Sequence, residues 1–135
     1  MAPSENATVV HRGGCHCGAV RFEAKGSAVV NVYECNCSVC TMKQNDHFMV
    51  SDADFTLLQG EDKLTLYQFG TKQAKHLFCS ICGVHSFYKP RSHPDCYAVT
   101  VHCVDEGSIA DTIVERCDGR NWEQWNAKRK AAHPN

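Results

Sequence analysis

The chain has 135 residues, of which 43% are hydrophobic and 21% are charged, a composition typical of a globular protein and not of a disordered chain. Fourteen lysines and arginines are balanced by fifteen acidic residues, so the overall charge does not favour a nucleic acid as a partner. At this length we expect one domain whose core is large enough to fold without disulfide bonds.

The cysteine content is the most unusual feature of the composition, with ten cysteines in the chain. No segment has the pattern of a signal peptide or the ~18 consecutive apolar residues of a membrane span. We therefore expect an intracellular protein, cytoplasmic with the nucleus as a second compartment, that is not secreted and has no membrane partner. In a reducing compartment, closely spaced cysteines are more often metal ligands than disulfides.

The pattern of apolar residues predicts a chain made mainly of short strands. We expect residues 1–10 to be a polar lead-in and residues 11–135 to form a single domain. Alternating or β-branched residues predict eight strands, over 17–24, 29–35, 47–50, 55–60, 64–69, 75–79, 84–88 and 97–103. Gly13 and Gly14 are expected in the turn before the first strand. Trp122, Trp125 and residues 127–132 predict one short C-terminal helix. The predicted fold class is mainly β, with antiparallel sheets.

Seven of the ten cysteines fall into three groups along the chain. A structural zinc ion is usually held by four ligands in a closed tetrahedron. Two of the groups contain a pair each and together supply four sulfurs: Cys15, Cys17, Cys79 and Cys82. We predict a structural zinc site on these residues, which would connect the start of the domain to its middle. Gly83 directly follows the last of them and is expected to have a positive φ.

Cys35, Cys37 and Cys40 remain as a group of three ligands. If the chain is extended from Cys35 to Cys37, both sulfurs lie on one side, and a turn after Cys37 brings Cys40 to them. Three protein ligands and one open position are typical of catalytic zinc. Three other residues could instead close the site as a fourth ligand: Cys103, His47 and His102. A different pairing, in which the seven cysteines share fewer ions, is also open.

Four motifs in this chain resemble the glutathione-dependent formaldehyde-activating enzyme family. They lie at residues 13–22, 35–40, 78–83 and 87–92, while residues 43–48 and 102–107 resemble the centromere protein V branch of the family most closely. The resemblance implies a β-tent fold of antiparallel sheets that is stapled by two zinc ions. It implies structural zinc on Cys15, Cys17, Cys79 and Cys82, and a second, catalytic-type zinc on Cys35, Cys37 and Cys40.

The implied reaction is a carbon–sulfur lyase step, in which glutathione and formaldehyde condense to S-hydroxymethylglutathione or the adduct is split. An open zinc position binds a thiol, lowers its pKa and holds it as a thiolate beside a carbonyl compound. Arg91 and Lys89 are candidates to bind the carboxylates of glutathione, since arginine pairs with carboxylate through two hydrogen bonds. Tyr88 is a candidate to stack on the ligand. The alternatives for these residues are a solvated loop and packing in the core.

Two other function classes fit parts of this pattern. The first is a zinc-stabilised interaction module without catalytic activity, related to centromere protein V, because a fold and its ligands can outlive a reaction. The second is a nucleic-acid-binding zinc finger, which is disfavoured by the acidic charge balance and by spacings that place no recognition helix after the ligands. An open coordination position at the second zinc distinguishes the enzyme from the module.

Overall fold

The computed structural model describes residues 8–132, which form two β-sheets and two helices. The strands are β1 Thr8–Gly14, β2 Arg21–Ser27, β3 Val29–Cys35, β4 Asp46–Ser51, β5 Phe55–Gln59, β6 Leu64–Tyr67, β7 Lys75–Cys79, β8 Phe87–Lys89, β9 Cys96–Thr100 and β10 Asp111–Cys117. The helices are α1 Ser38–Lys43 and α2 Trp122–Ala132. Among the residues described, no helix is long and apolar enough to cross a membrane.

The strands are arranged as a three-stranded and a seven-stranded sheet. The smaller sheet has the order β1-β2-β5, and the larger has the order β10-β3-β4-β9-β8-β7-β6. All paired strands are antiparallel except β10, which runs parallel to β3 so that Cys117 lies beside Cys35. The predicted mainly-β fold with one short C-terminal helix is confirmed. The parallel pair is a departure from the antiparallel expectation.

Two local predictions were wrong, and two elements were not predicted. β1 begins at Thr8, so the end of the predicted lead-in belongs to a strand, while residues 1–7 lie outside the described residues. Gly13 and Gly14 end this strand, and the turn comes later, over residues 16–19. β10 and α1 were not predicted. All residues of β10 except the last are exposed, so its sequence lacks the alternation that marks a half-buried strand.

The core lies between the two sheets and is built around aromatic side chains. Phe22 and Phe55 come from the smaller sheet, and Phe87 and Tyr97 come from the larger one. The ring centroid of Phe55 lies 5.5 Å from that of Phe22, 4.9 Å from Phe87 and 4.1 Å from Tyr97. Such pairs contribute about 0.5–1.5 kcal/mol each beyond the burial of their area. This packing fixes how the loops at the ends of the two sheets face one another.

Candidate metal centres

The first cysteine cluster lies where loops of the two sheets meet. Cys15 and Cys17 lie in the β1–β2 connection, Cys79 ends β7, and Cys82 lies in the loop that follows. Their sulfurs all lie within 4.8 Å of one another, with 3.6 Å between Cys15 and Cys17 and 3.7 Å between Cys17 and Cys79. A tetrahedral zinc with Zn–S bonds of ~2.3 Å places its sulfurs ~3.8 Å apart. The cluster therefore has the geometry for one ion, which would join the two sheets.

Backbone amide groups in the loop after β7 are directed at the sulfurs of this cluster. The Ile81 amide donates to Cys79 Sγ at 3.4 Å. Backbone hydrogen bonds, first of all that from Cys17, lower the pKa of Cys82 to about 6. Gly83 has a φ of +76°, as predicted, and its amide donates to the Cys79 carbonyl at 2.8 Å. The loop thus stabilises the thiolate form that a metal requires.

The second cluster is formed at the junction between β3 and α1. Cys35 is the last residue of β3, Cys37 has an extended conformation immediately before α1, and Cys40 is buried within α1. The three sulfurs lie within 4.8 Å of one another. Hydrogen bonds from Cys35 and then Cys40 lower the pKa of Cys37, because they stabilise its thiolate. The predicted turn after Cys37 is the first turn of α1, and it brings the three sulfurs together.

The three side chains considered as a fourth ligand have other partners. His47 Nδ1 lies 3.0 Å from the Asn45 carbonyl, His102 Nε2 lies 3.1 Å from Asp46, and the Cys103 thiol donates to the His85 carbonyl at 3.7 Å. Among residues 8–132, the potential metal ligands that lie close together at the second cluster are the three cysteine sulfurs. A tetrahedral ion held here would have three protein ligands and one position for a further group.

The loop after β10 packs directly against the second cluster. A Cβ atom on Gly119 would lie 2.4 Å from Cys35 Sγ, so a larger residue there must displace the sulfur or the loop. Asn36 holds the two segments together: its Nδ2 donates to Asp118 at 3.1 Å, and its Oδ1 accepts from the Arg120 amide at 3.0 Å. The position of Cys35 therefore depends on a segment more than eighty residues away in sequence.

A cavity of about 420 Å³ opens beside the second cluster, and its wall includes all three of the cluster's cysteines. This volume is in the range of small-molecule sites, roughly 300–1,000 Å³. Arg91 and Arg120 lie in the wall, and among the described residues that line the cavity there is no aspartate or glutamate. The two arginines are able to attract an anionic group of a molecule bound there, because arginine pairs well with carboxylates.

The structure separates the three predicted substrate residues. The Arg91 guanidinium stacks on the Trp122 ring, 3.7 Å from its centroid, and this contact leaves the in-plane N–H groups to a carboxylate. Lys89 lies elsewhere: it pairs with Asp52, covers the Tyr97 ring at 4.0 Å and is not part of the cavity wall. Its proposed role in substrate binding is therefore not supported by its position.

Tyr88 is both buried and part of the cavity wall. Its ring stacks on His76 at 4.7 Å, and its hydroxyl lies 3.4 Å from His47 Nε2. Burial raises the pKa of Tyr88 well above its usual range, and burial lowers the pKa of His47 and of His76 to about 4. All three side chains are consequently neutral at neutral pH. Tyr88 packs against the histidines as a core residue does, while it also forms part of the wall.

Lys43, at the end of α1, is a cation behind the second cluster. Its Nζ lies 3.0 Å from His76 Nδ1 and 3.3 Å from His85 Nδ1. Burial lowers the pKa of Lys43 to about 8, while the charges of Cys40 and Cys37 act in the opposite direction. Three thiolates around a divalent ion leave one excess negative charge. The ammonium group of Lys43 is placed to offset that charge.

Several residues of the site were not singled out in the sequence. Arg120 and Trp122 reach the cavity because β10 returns beside β3, and Lys43 at the end of α1 meets His76 of β7 through a single side-chain contact. The spacing of Lys43 and His76, each three residues from a cysteine of a cluster, carries no signal by itself. A basic residue two positions before a tryptophan, Arg120 and Trp122, was the one visible pattern.

Comparison with known proteins agrees with this geometry. Residues 10–125 match the family described as glutathione-dependent formaldehyde-activating enzyme. The chain is also similar to a protein of Rhodobacter sphaeroides whose crystal structure is known, with 32% sequence identity, a TM-score of 0.65, and a match that covers 77% of this chain and 99% of the other. The family is zinc-binding, and both cysteine clusters lie within the matched residues. The chain therefore belongs to the glutathione-dependent formaldehyde-activating enzyme family.

Proposed function

We propose that the protein is a zinc-dependent carbon–sulfur lyase that forms or splits the adduct of glutathione with formaldehyde or a similar small aldehyde. The observation that carries the proposal is the position of the second cluster. Its three sulfurs lie in the wall of a cavity that also contains Arg91 and Arg120, with no acidic side chain among the described wall residues. A cavity of this kind suits a thiol that bears carboxylates.

Each cluster has a different role in this proposal. Cys15, Cys17, Cys79 and Cys82 would hold a structural zinc, because four sulfurs complete its coordination. Cys35, Cys37 and Cys40 would hold a second zinc, which when bound supplies a position that keeps the glutathione sulfur as a thiolate. Arg91, fixed on Trp122, binds a glutathione carboxylate and thereby orients the sulfur toward the cluster.

The reaction itself forms a single carbon–sulfur bond. A lone pair of the thiolate sulfur attacks the aldehyde carbon, and the π electrons of the carbonyl move to its oxygen. That oxygen takes a proton from water, which balances the proton lost by the thiol. The reverse reaction removes the hydroxyl proton, re-forms the carbonyl and releases the thiolate. The cavity walls contribute by holding the two reactants together and limiting the access of water.

The inactive interaction module remains the competing interpretation of the same fold. Assignment to the centromere protein V branch is likewise a prediction, which depends on residues 43–48 and 102–107. The cavity favours the enzyme over the module, because a module needs no thiolate cluster in the wall of a small-molecule site.

The binding of thiols tests the proposal. Isothermal calorimetry with glutathione and with S-methylglutathione should show binding of glutathione alone, because the methylated sulfur cannot become a thiolate. Cys37→Ser should remain folded but lose glutathione binding, and Cys96→Ser, outside both clusters, should bind as the parent does. Equal affinity for the two ligands would refute the thiolate mechanism. A parent that binds neither would favour the interaction module.

A further inference from the structure

We propose that His76 is held as a hydrogen-bond donor to the aldehyde-derived oxygen of the adduct, and that Lys43 determines this role by fixing the tautomer of His76. The inference rests on the proposed function and extends it, because it assigns a contact that the adduct makes and free glutathione does not. The evidence for it is the set of hydrogen-bond partners of the buried histidines around the cavity.

The contact with Lys43 determines which nitrogen of His76 carries hydrogen. An ammonium group has three hydrogen-bond donors and no acceptor, so His76 Nδ1, 3.0 Å from Lys43 Nζ, must accept. A neutral imidazole that accepts at Nδ1 carries its hydrogen on Nε2. His85 accepts from the same ammonium at 3.3 Å, which holds the lysine in place from a second side.

The packing of His76 places the opposite edge of its ring toward the cavity. The ring stacks on Tyr88 at 4.7 Å with an angle of 7° and on Phe69 at 5.6 Å with an angle of 28°. All three rings belong to the cavity wall, whereas Lys43 does not. Because Nδ1 is engaged with Lys43, which lies outside the wall, we infer that the ring meets the cavity through its Nε2 edge. His76 Nε2 has no hydrogen-bond partner within residues 8–132.

His47, the other buried histidine of the wall, has the opposite tautomer. Its Nδ1 lies 3.0 Å from the Asn45 carbonyl oxygen, which can only accept, so Nδ1 carries the hydrogen. Its Nε2 then accepts from the Tyr88 hydroxyl at 3.4 Å. Both nitrogens of His47 are thus used within the protein. Of these two histidines, His76 is the one that offers a donor to a ligand.

A fixed N–H donor favours the adduct over the separate reactants. As the thiolate sulfur attacks, negative charge develops on the aldehyde oxygen, and a preorganised donor stabilises that charge without reorganisation. The proton that completes the hydroxyl group comes from water, as described above, because His76 has no second proton to give. Nor can its Nδ1 act as a base toward the ligand, since that lone pair is directed at Lys43. His76 therefore acts by hydrogen bonding to the oxygen.

His76→Phe tests the contact, because the variant keeps an aromatic ring between Tyr88 and Phe69 but has no N–H. We expect glutathione affinity, measured by calorimetry, to change by less than about twofold, since free glutathione lacks the oxygen. The rate of adduct formation should fall by on the order of 100-fold, as for loss of one oxyanion donor. An unchanged rate at unchanged glutathione affinity would overturn the inference. A parent that binds no thiol would refute the proposed function, and this inference with it.

The role of Lys43 has a readout that does not depend on activity. In ¹⁵N NMR of the metal-loaded parent, His76 should show hydrogen on Nε2 and none on Nδ1 at pH 7. Lys43→Met should remove the preference for one tautomer and slow adduct formation by about tenfold. Lys75→Met, an exposed lysine next to His76 in β7, is the matched control and should change neither. Hydrogen on Nδ1 in the parent would overturn the inference without recourse to any variant.

Discussion

The structural role of the first cluster is open to a direct test through Cys17→Ser. Cys17 is exposed, so the substitution removes one sulfur ligand without a cavity in the core. An ion on this cluster links Cys17 to Cys79, 62 residues further along the chain. By the entropy of closing a loop of that length, the link stabilises the folded state by about 4 kcal/mol. This is a large share of the roughly 5–15 kcal/mol that stabilise a domain.

The assay is thermal unfolding by circular dichroism, with zinc content measured on the same samples. Because Cys15 would also link the ion to Cys79, the full loss of about 4 kcal/mol accompanies release of the ion from the variant. A loss of that size corresponds to a melting temperature lower by roughly 10–20 °C for a domain of this size. Chelation of the parent should produce a similar decrease, and a chelator should affect Cys17→Ser much less. Cys96→Ser is the matched control and should melt like the parent. If Cys17→Ser loses metal but has the same melting temperature as Cys96→Ser, metal binding by this cluster does not join the two sheets.

Three further outcomes are expected. Titration of the zinc-loaded protein with a chelator should release zinc in two classes. The more weakly bound class should come from Cys35, Cys37 and Cys40, because four ligands hold an ion better than three. Release in a single class would contradict this prediction. Gly119→Ala should weaken metal binding at the second cluster, because the new methyl group meets Cys35 Sγ. It should also lower the stability of the fold by about 1–3 kcal/mol, seen as a modest decrease in melting temperature. Unchanged zinc affinity would count against this contact. His47 should stay neutral at pH 5.5 by NMR, since burial lowers its pKa from 6.5 to about 4. Between pH 6.5 and 4, the unfolded chain binds a proton at His47 that the native ring does not bind. As the pH falls through this range, His47 should therefore lower the free energy of unfolding by about 1.4 kcal/mol for each pH unit. Protonation of His47 above pH 6 would refute this.

The grouping of seven cysteines into two clusters could be predicted, because the spacing within each short motif is a local property of the chain. The step from Cys35 to Cys37 and the turn to Cys40 bring three sulfurs together within six residues. The two remaining pairs of cysteines, distant in sequence, together supply the four ligands that a structural zinc site needs. Strands such as β3 were likewise visible, because β-branched residues recur along β3 and the alternate residues Val30 and Val32 are buried.

The surroundings of the second cluster were decided by contacts between distant segments. β10 carries no recognisable pattern, yet its parallel pairing with β3 brings Gly119 onto Cys35 and Arg120 to the cavity. Likewise, Lys43 at the end of α1 contacts His76 of β7, 33 residues further along the chain. Spacing along the chain predicts which sulfurs can share an ion, because a few rotatable bonds separate them. It does not predict which side chains will surround that ion, because their positions depend on how strands far apart in sequence pair and pack.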